Sequence, residues 1–281
     1  MRELIQSEIK KYVSESPENW LDAIKDHYFD EPIIQFADAD DPLFEEYKTI
    51  IGQQHMTPAE SFEKAFGTGS YQGGTVISIV LPINPTIIKS NRLEGQPSQE
   101  WALLRHFGDI FRIALNQWLA GFLTKMGYRT VSPALAEGFK ISSSDSGPTS
   151  NWSERHIAFA AGLGSFSIND GFISEKGIAI RLLSVVTELK LDPDLRTAKV
   201  HTANCLLCSK GSCGVCIRRC PVQAISRNGH DKIKCASFVY GDESRKLAEF
   251  YGGSAKVGAG CGLCQTKVPC ESKNPLAMAD S

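Results

Sequence analysis

Nine cysteines fall between Cys205 and Cys270, and none precedes them. The run Cys213-x2-Cys216-x3-Cys220-Pro221 is followed by Cys235 and then by Cys261-x2-Cys264-x5-Cys270; Cys205-x2-Cys208 lies just upstream. A C-x2-C-x3-C-P run is close to the bacterial iron–sulfur signature, in which the cysteine before proline ligates a second cluster. Thiolates are soft donors for iron, and short spacings let one loop wrap around a cubane. Two [4Fe–4S] clusters need eight thiolates, which leaves one of the nine to spare. The chemistry of such a set is electron transfer. Zinc is the rival: Cys205-x2-Cys208 with Cys213-x2-Cys216 has zinc-site form, but leaves Cys220-Pro221 and Cys261-x2-Cys264 unexplained.

The elements that must position these thiols come from the rest of the chain. With 281 residues there is room for one large core and a small appended unit. A formal charge of −2 with 22% charged residues gives no electrostatic case for nucleic acid or an anionic membrane surface. No apolar run approaches the roughly 20 residues that span a bilayer. The charged, amphipathic start from Met1 to Lys11 lacks a signal-peptide core, and Arg218-Arg219 lies inside the cysteine run. The expectation is a cytoplasmic protein, in which disulfides are disfavoured.

Residues 1–66 read as helical. Leu4, Ile5, Ile9, Tyr12 and Val13 share a face, Asp41-Pro42 marks a helix start, and Thr57-Pro58-Ala59-Glu60 has capping-box form. Thr75–Leu81 is a β-rich run closed by Pro82. Ser98 to Met126 carries a continuous apolar stripe and reads as one long core helix stopped by Gly127. A short strand at 128–132 follows, then a polar loop at 141–150. Asn151 with Glu154 opens a helix that Gly162-Leu163-Gly164 ends, and Gly177–Thr187 is strongly β. Intermixed helices and strands fit an α+β domain.

Several residues beyond the cysteines have two readings. Gly162 and Gly164 either leave room for a flat ligand against the backbone or simply terminate a helix. Glu154 is a proton-transfer candidate or a capping residue. Arg155 could pair with a ligand carboxylate or amide, or form a surface ion pair. His156 could move protons near neutral pH or be a packed helical histidine.

The block Cys213–Ile225, with Asp231–Cys235 and Cys261-Gly-Leu-Cys264, resembles the ferredoxin domain of epoxyqueuosine reductases. Ala160-Ala-Gly-Leu-Gly-Ser-Phe166 is similar to the glycine loop that these enzymes and the reductive dehalogenases place beside a corrinoid. The resemblance implies a nitroreductase-like, corrinoid-binding α/β domain over residues 1–195 and a bacterial ferredoxin-like domain over 196–281. It implies cofactor contacts at Arg155, Gly162, Leu163, Gly164, Ser165 and Ser167. It also implies interleaved ligand sets, Cys205, Cys213, Cys216 and Cys270 for one cluster and Cys220, Cys235, Cys261 and Cys264 for the other, with Cys208 able to replace Cys205. Glu154, His156 and Tyr128 are the proton-donor candidates, Tyr128 because reductive dehalogenases use a tyrosine. The chain departs from the pattern: Lys210 stands three before Cys213, the last spacing is stretched to x5, and no acidic residue is in register before the glycine loop. The implied activity is reduction of a small molecule, with cobalamin and a ferredoxin- or flavodoxin-type donor. The alternative is a ferredoxin-type electron carrier that serves a partner enzyme without corrinoid.

Overall fold

The computed structural model describes residues 1–277. From the N-terminus come α1 (Arg2–Glu15), a minimal hairpin of β1 (Trp20–Leu21) and β2 (Asp26–His27), β3 (Ile33–Asp38), α2 (Leu43–Ile50), α3 (Pro58–Phe66), β4 (Thr75–Pro82) and α4 (Pro85–Ser90). Next are α5 (Gln99–Leu103), a π turn (Leu104–Gly108), α6 (Asp109–Lys125), β5 (Thr130–Val131), β6 (Ile141–Ser144), β7 (Gly147–Ser150) and α7 (Glu154–Ala160). The hairpin of β8 (Gly164–Phe166) and β9 (Phe172–Ser174) leads into β10 (Ile180–Thr187). The remainder holds α8 (Leu206–Lys210), α9 (Val215–Arg219), β11 (Ile225–Ser226), β12 (Gly229–His230), α10 (Lys232–Val239) and α11 (Asp242–Phe250).

One four-stranded sheet, ordered β3-β4-β10-β5 and antiparallel throughout, organises the first part. β4 is buried along its whole length because both faces are covered. Side chains alternate across a strand, so Ile77, Ile79 and Leu81 join one core with Leu183 and Val185, and Val76 and Val80 join the other with Val186. The first core takes Ile5, Ile9 and Val13 of α1 and Phe111, Leu115 and Leu119 of α6. The second takes Phe44, Tyr47, Phe62 and Ile157 from α2, α3 and α7.

Four expectations change. The 1–66 stretch is not all helix, because Ile33–Asp38 pairs with β4 along its full length. The Ser98–Met126 helix is broken at Leu104–Gly108 by a π turn, a distortion frequent at functional sites. The 141–150 loop is the β6–β7 hairpin. Glu154 makes no capping box with Asn151: α7 starts from Ser153 without a side-chain cap. The box at Thr57 and Glu60 is formed. Among the described residues no helix is long and apolar enough to cross a membrane.

Candidate functional site

The cysteines sit on short elements that apolar burial alone would not hold. Cys205 precedes α8, Cys216 lies in α9, Cys220 follows it, and Cys235 lies in α10. Their mutual influence falls into two sets that meet at Cys216 and Cys264. Burial pushes the Cys216 thiol up to about 11, and Cys205 and Cys213 add to the rise. Burial pushes Cys270 up to about 12, with Cys216, Cys205 and Cys213 again adding. In the second set burial, then Cys235 and Cys220, takes Cys261 to about 11. Burial lifts Cys264 well above the ordinary thiol range, and its neighbours Cys261, Cys235, Cys216 and Cys220 act the same way. Cys205 is the exception, because burial there is outweighed by the N–H groups of Cys208 and Ile168 and by the Ser167 hydroxyl, 3.7 Å from its Sγ. The Ala224 N–H similarly donates to Cys220 Sγ at 3.1 Å. Cys208 is exposed and approaches only Cys205 of the other thiols that affect it.

Among the described residues no three His, Cys, Asp or Glu side chains converge tightly enough for a single metal ion. The donor chemistry nevertheless fits a multinuclear thiolate-bound group. Cys216, Cys261, Cys264 and Cys270 are held protonated by burial and by neighbouring thiols, so cationic iron would supply the missing charge and release protons. Carbonyls between the ligands are fixed by side chains from across the molecule: Asn169 donates to Cys264 O at 3.1 Å, Asn91 to Cys261 O at 3.1 Å and Arg219 to Leu263 O at 2.8 Å. Gly262 allows the closest approach, since a Cβ there would overlap the Trp101 ring. The Cys261 segment is thereby seated on Trp101 of the first part.

The glycine loop is used by the chain itself. Gly162, at φ +81°, caps α7, and a Cβ on it would press on the backbone at 195–196. A Cβ on Gly164 would overlap the Ile173 carbonyl of β9. Leu163 is buried in the second core, and Ser165 Oγ accepts the Asn204 N–H at 2.7 Å. Ser167 reaches a cysteine instead, as above. Both glycines of this loop are therefore required by the chain's own backbone packing, whatever else lies against it.

A second constellation forms at the edge of the sheet. β5 pairs only with Val186 and Thr187, so residues 180–185 of β10 have no strand partner on that side. α6 and α7 flank this notch. Glu154 fills part of it: its Oε2 accepts the Ser184 hydroxyl at 2.6 Å, and the Ser184 N–H also stabilises the carboxylate. Burial is the larger effect and lifts the Glu154 carboxyl to about 7. Its Oε1 is buried with no partner. On the other side of β10, Arg181 lies over the Trp101 ring, 5.6 Å from the centroid. Arg105 donates to Tyr240 Oη at 3.3 Å, and Arg112 pairs with Asp109 at 3.1 Å.

Of the other expected residues, Arg155 is exposed and donates to the Asp170 carbonyl. His156 is held by Ser153 Oγ at 2.8 Å between the rings of Tyr47 and Phe166, and burial takes it down to about 3. It is neutral at physiological pH. Tyr128 packs on the first core, next to β5 and not at the Glu154 notch. Arg105, Asp109, Arg112, Arg181, Ser184 and Tyr240 were not anticipated. Arg181 had a signal, as the one charge inside the run Ile178-Ala-Ile-Arg-Leu-Leu183.

No protein-family model and no curated protein matches the sequence. Solved structures do match. An epoxyqueuosine reductase from Bacillus subtilis is 19% identical over 97% of this chain, with a TM-score of 0.50. An epoxyqueuosine reductase solved with an epoxyqueuosine-modified tRNA-Tyr stem loop is 20% identical over 96%, with a TM-score of 0.51. A reductive dehalogenase described as suggesting a mechanism for B12-dependent dehalogenation is 14% identical over 87%, with a TM-score of 0.52. The chain spans 66% of the two reductases and 30% of the dehalogenase. At these identities the likeness is one of fold, and this chain shares its fold with epoxyqueuosine reductases and reductive dehalogenases.

Proposed function

We propose that this protein is an iron–sulfur reductase of a small molecule, with two [4Fe–4S] clusters held by Cys205, Cys213, Cys216 and Cys270 and by Cys220, Cys235, Cys261 and Cys264. The observation that supports the reading is the convergence of distant cysteines: Cys205 and Cys213 lie close enough to Cys216 and Cys270, and Cys220 and Cys235 close enough to Cys261 and Cys264, to raise those thiols, with Cys216 also felt at Cys264. Bound clusters would supply single electrons. The second set abuts Trp101 and Arg105 through Gly262 and Gly260, so it is the set nearer the β10 notch. The first set opens to solvent at a cleft of about 490 Å³ lined by Cys213, Arg218 and Arg227, where an acidic ferredoxin- or flavodoxin-type donor would dock.

Removal of a leaving group X as an anion from R–X consumes two electrons and one proton and yields R–H and X⁻. Glu154 is assigned as the proton source: it is a carboxylic acid with a pKa near neutrality and one unpartnered oxygen at the notch. Ser184 orients it. Cobalamin is proposed as a further cofactor on the strength of the shared fold alone, and no step is drawn through it.

Anaerobic reconstitution followed by iron, zinc and cobalt analysis, with EPR after addition of cob(II)alamin, tests this. About eight irons per chain with an altered cobalt signal is the expected result. Eight irons with the signal of free cofactor would leave an electron carrier. Zinc that persists after reconstitution would overturn the proposal.

A further inference from the structure

Three guanidinium groups gather near the notch from three different elements, Arg105 from the π turn, Arg112 from α6 and Arg181 from β10, while Arg155 of α7 is exposed. Tyr240, at the end of α10, lies beside them: its ring is 5.6 Å from the Arg105 guanidinium. A guanidinium carries five N–H donors. Here they are largely unspent. Arg181 donates only to the carbonyl of its neighbour Ile180, at 3.1 Å. Arg105 meets only the Tyr240 oxygen, and its Nε is buried with no partner. Arg155 meets a carbonyl, and Arg112 alone has a carboxylate at ion-pair distance, that of Asp109.

The counter-charge does not balance. Asp170 is shared with His230 and Lys232, and the Glu154 carboxyl is half neutral near pH 7. Burial depresses Arg181 to about 10, and Arg105 and Arg112 push the same way against Asp109. Folded chains seldom gather unpaired cations in a recess, because like charges cost several-fold more there than in water. Guanidinium forks match the planar or tetrahedral oxygens of carboxylate and phosphate.

We infer that the notch binds a small organic oxyanion, a carboxylate or phosphate monoester, anchored by Arg105 and Arg181 with its reducible carbon toward Arg112 and Glu154. Calling that anion the substrate rests on the reductase reading; its binding does not. Calorimetry on the iron-loaded full chain under anaerobic conditions tests it, with benzoate, phenyl phosphate and inorganic phosphate as probes and neutral benzamide as the comparison. At least one anion should bind at least tenfold more tightly than benzamide. Arg181→Gln and Arg105→Gln should each weaken that binding at least tenfold while iron content and circular dichroism stay as in the wild type. Preference for benzoate or for phenyl phosphate separates the two ligand chemistries. Equal binding of benzamide, no heat from any anion at millimolar concentration, or unchanged affinity in well-folded variants would overturn the inference. So would loss of anion binding on loading with cob(II)alamin, which would assign the arginines to the corrinoid phosphate. A chain that holds both clusters but no anion refutes this inference alone; one that binds anion yet takes up no iron refutes the reductase alone.

Discussion

The two parts of this molecule are held together by different physics. Residues before β10's end bury two apolar cores against one sheet, with Phe29, Phe36, Phe44, Phe62 and Phe111 each nearly inaccessible. The cysteine segment has no such resource. Its main buried cluster consists of Ile173, Ile178, Cys205, Cys216, Ile225 and Val268, and two of those come from the β8–β10 region. α8 and α9 are five residues each, far below the length at which helices persist unaided. The comparison teaches that the sheet folds on hydrophobic burial, whereas the cysteine segment leans on its seat against Trp101 and, under the proposed function, on the clusters its thiols would hold.

The largest effect should come from removing the metal. Anaerobic chelation, or Cys216→Ser, should collapse protection of residues 205–270 in hydrogen exchange and leave β4 and β10 protected; Cys208→Ser should change neither iron content nor protection. Protection lost equally in both parts would erase the distinction.

Trp101→Ala comes next, because it empties the seat shared by both parts. The residue is 2% exposed, so the loss is about 3–5 kcal/mol, read as a shift in the denaturant midpoint. A cost under about 1 kcal/mol would mean the two parts do not lean on each other there.

Glu154→Gln sharpens the comparison on the chemical side and should lower turnover about 100-fold. In the wild type a proton donor with a pKa of about 7 serves below that pH, so activity falls as pH rises through it. The same raised pKa means the native state binds an extra proton between the ordinary 4.5 and about 7, so stability falls as pH climbs through that window. The Gln variant should lose both dependences; a wild-type pH limb in Glu154→Gln would remove Glu154 from the reaction.

The smallest effect is expected at Ser167→Ala, which deletes one hydrogen bond to Cys205 and should lower the reduction potential of the first cluster without affecting the second. Equal shifts in both would contradict the assignment of Cys205.

Much of this was legible in one dimension. Cysteine spacing picks out the candidate ligand segment because ligand geometry is local in sequence, and β4 and β10 announce themselves as strongly apolar, β-rich runs. β3 was hidden because Ile33–Asp38 is short and sits among helical signals; only its pairing with β4 makes it a strand. The π turn escaped because the apolar stripe of 98–126 runs through it, while Gly108 lets the turn close against Leu104 and Phe29. The arginine notch was invisible for a different reason. Arg105 and Arg181 are far apart in the chain and come together where β5 stops short. The glycine pair shows why a motif alone is ambiguous, since both glycines are required by close backbone approach at residues 195–196 and 173.

The central claim is that each cluster draws ligands from both ends of the cysteine segment. EPR of the reduced protein, compared across Cys213→Ser, Cys270→Ser, Cys235→Ser and Cys264→Ser, tests it most directly. Cys213→Ser and Cys270→Ser should abolish one cluster signal and about half of the iron, and Cys235→Ser and Cys264→Ser the other. If Cys270→Ser and Cys264→Ser instead remove the same cluster, the interleaved arrangement is wrong, and the electron path toward the β10 notch falls with it.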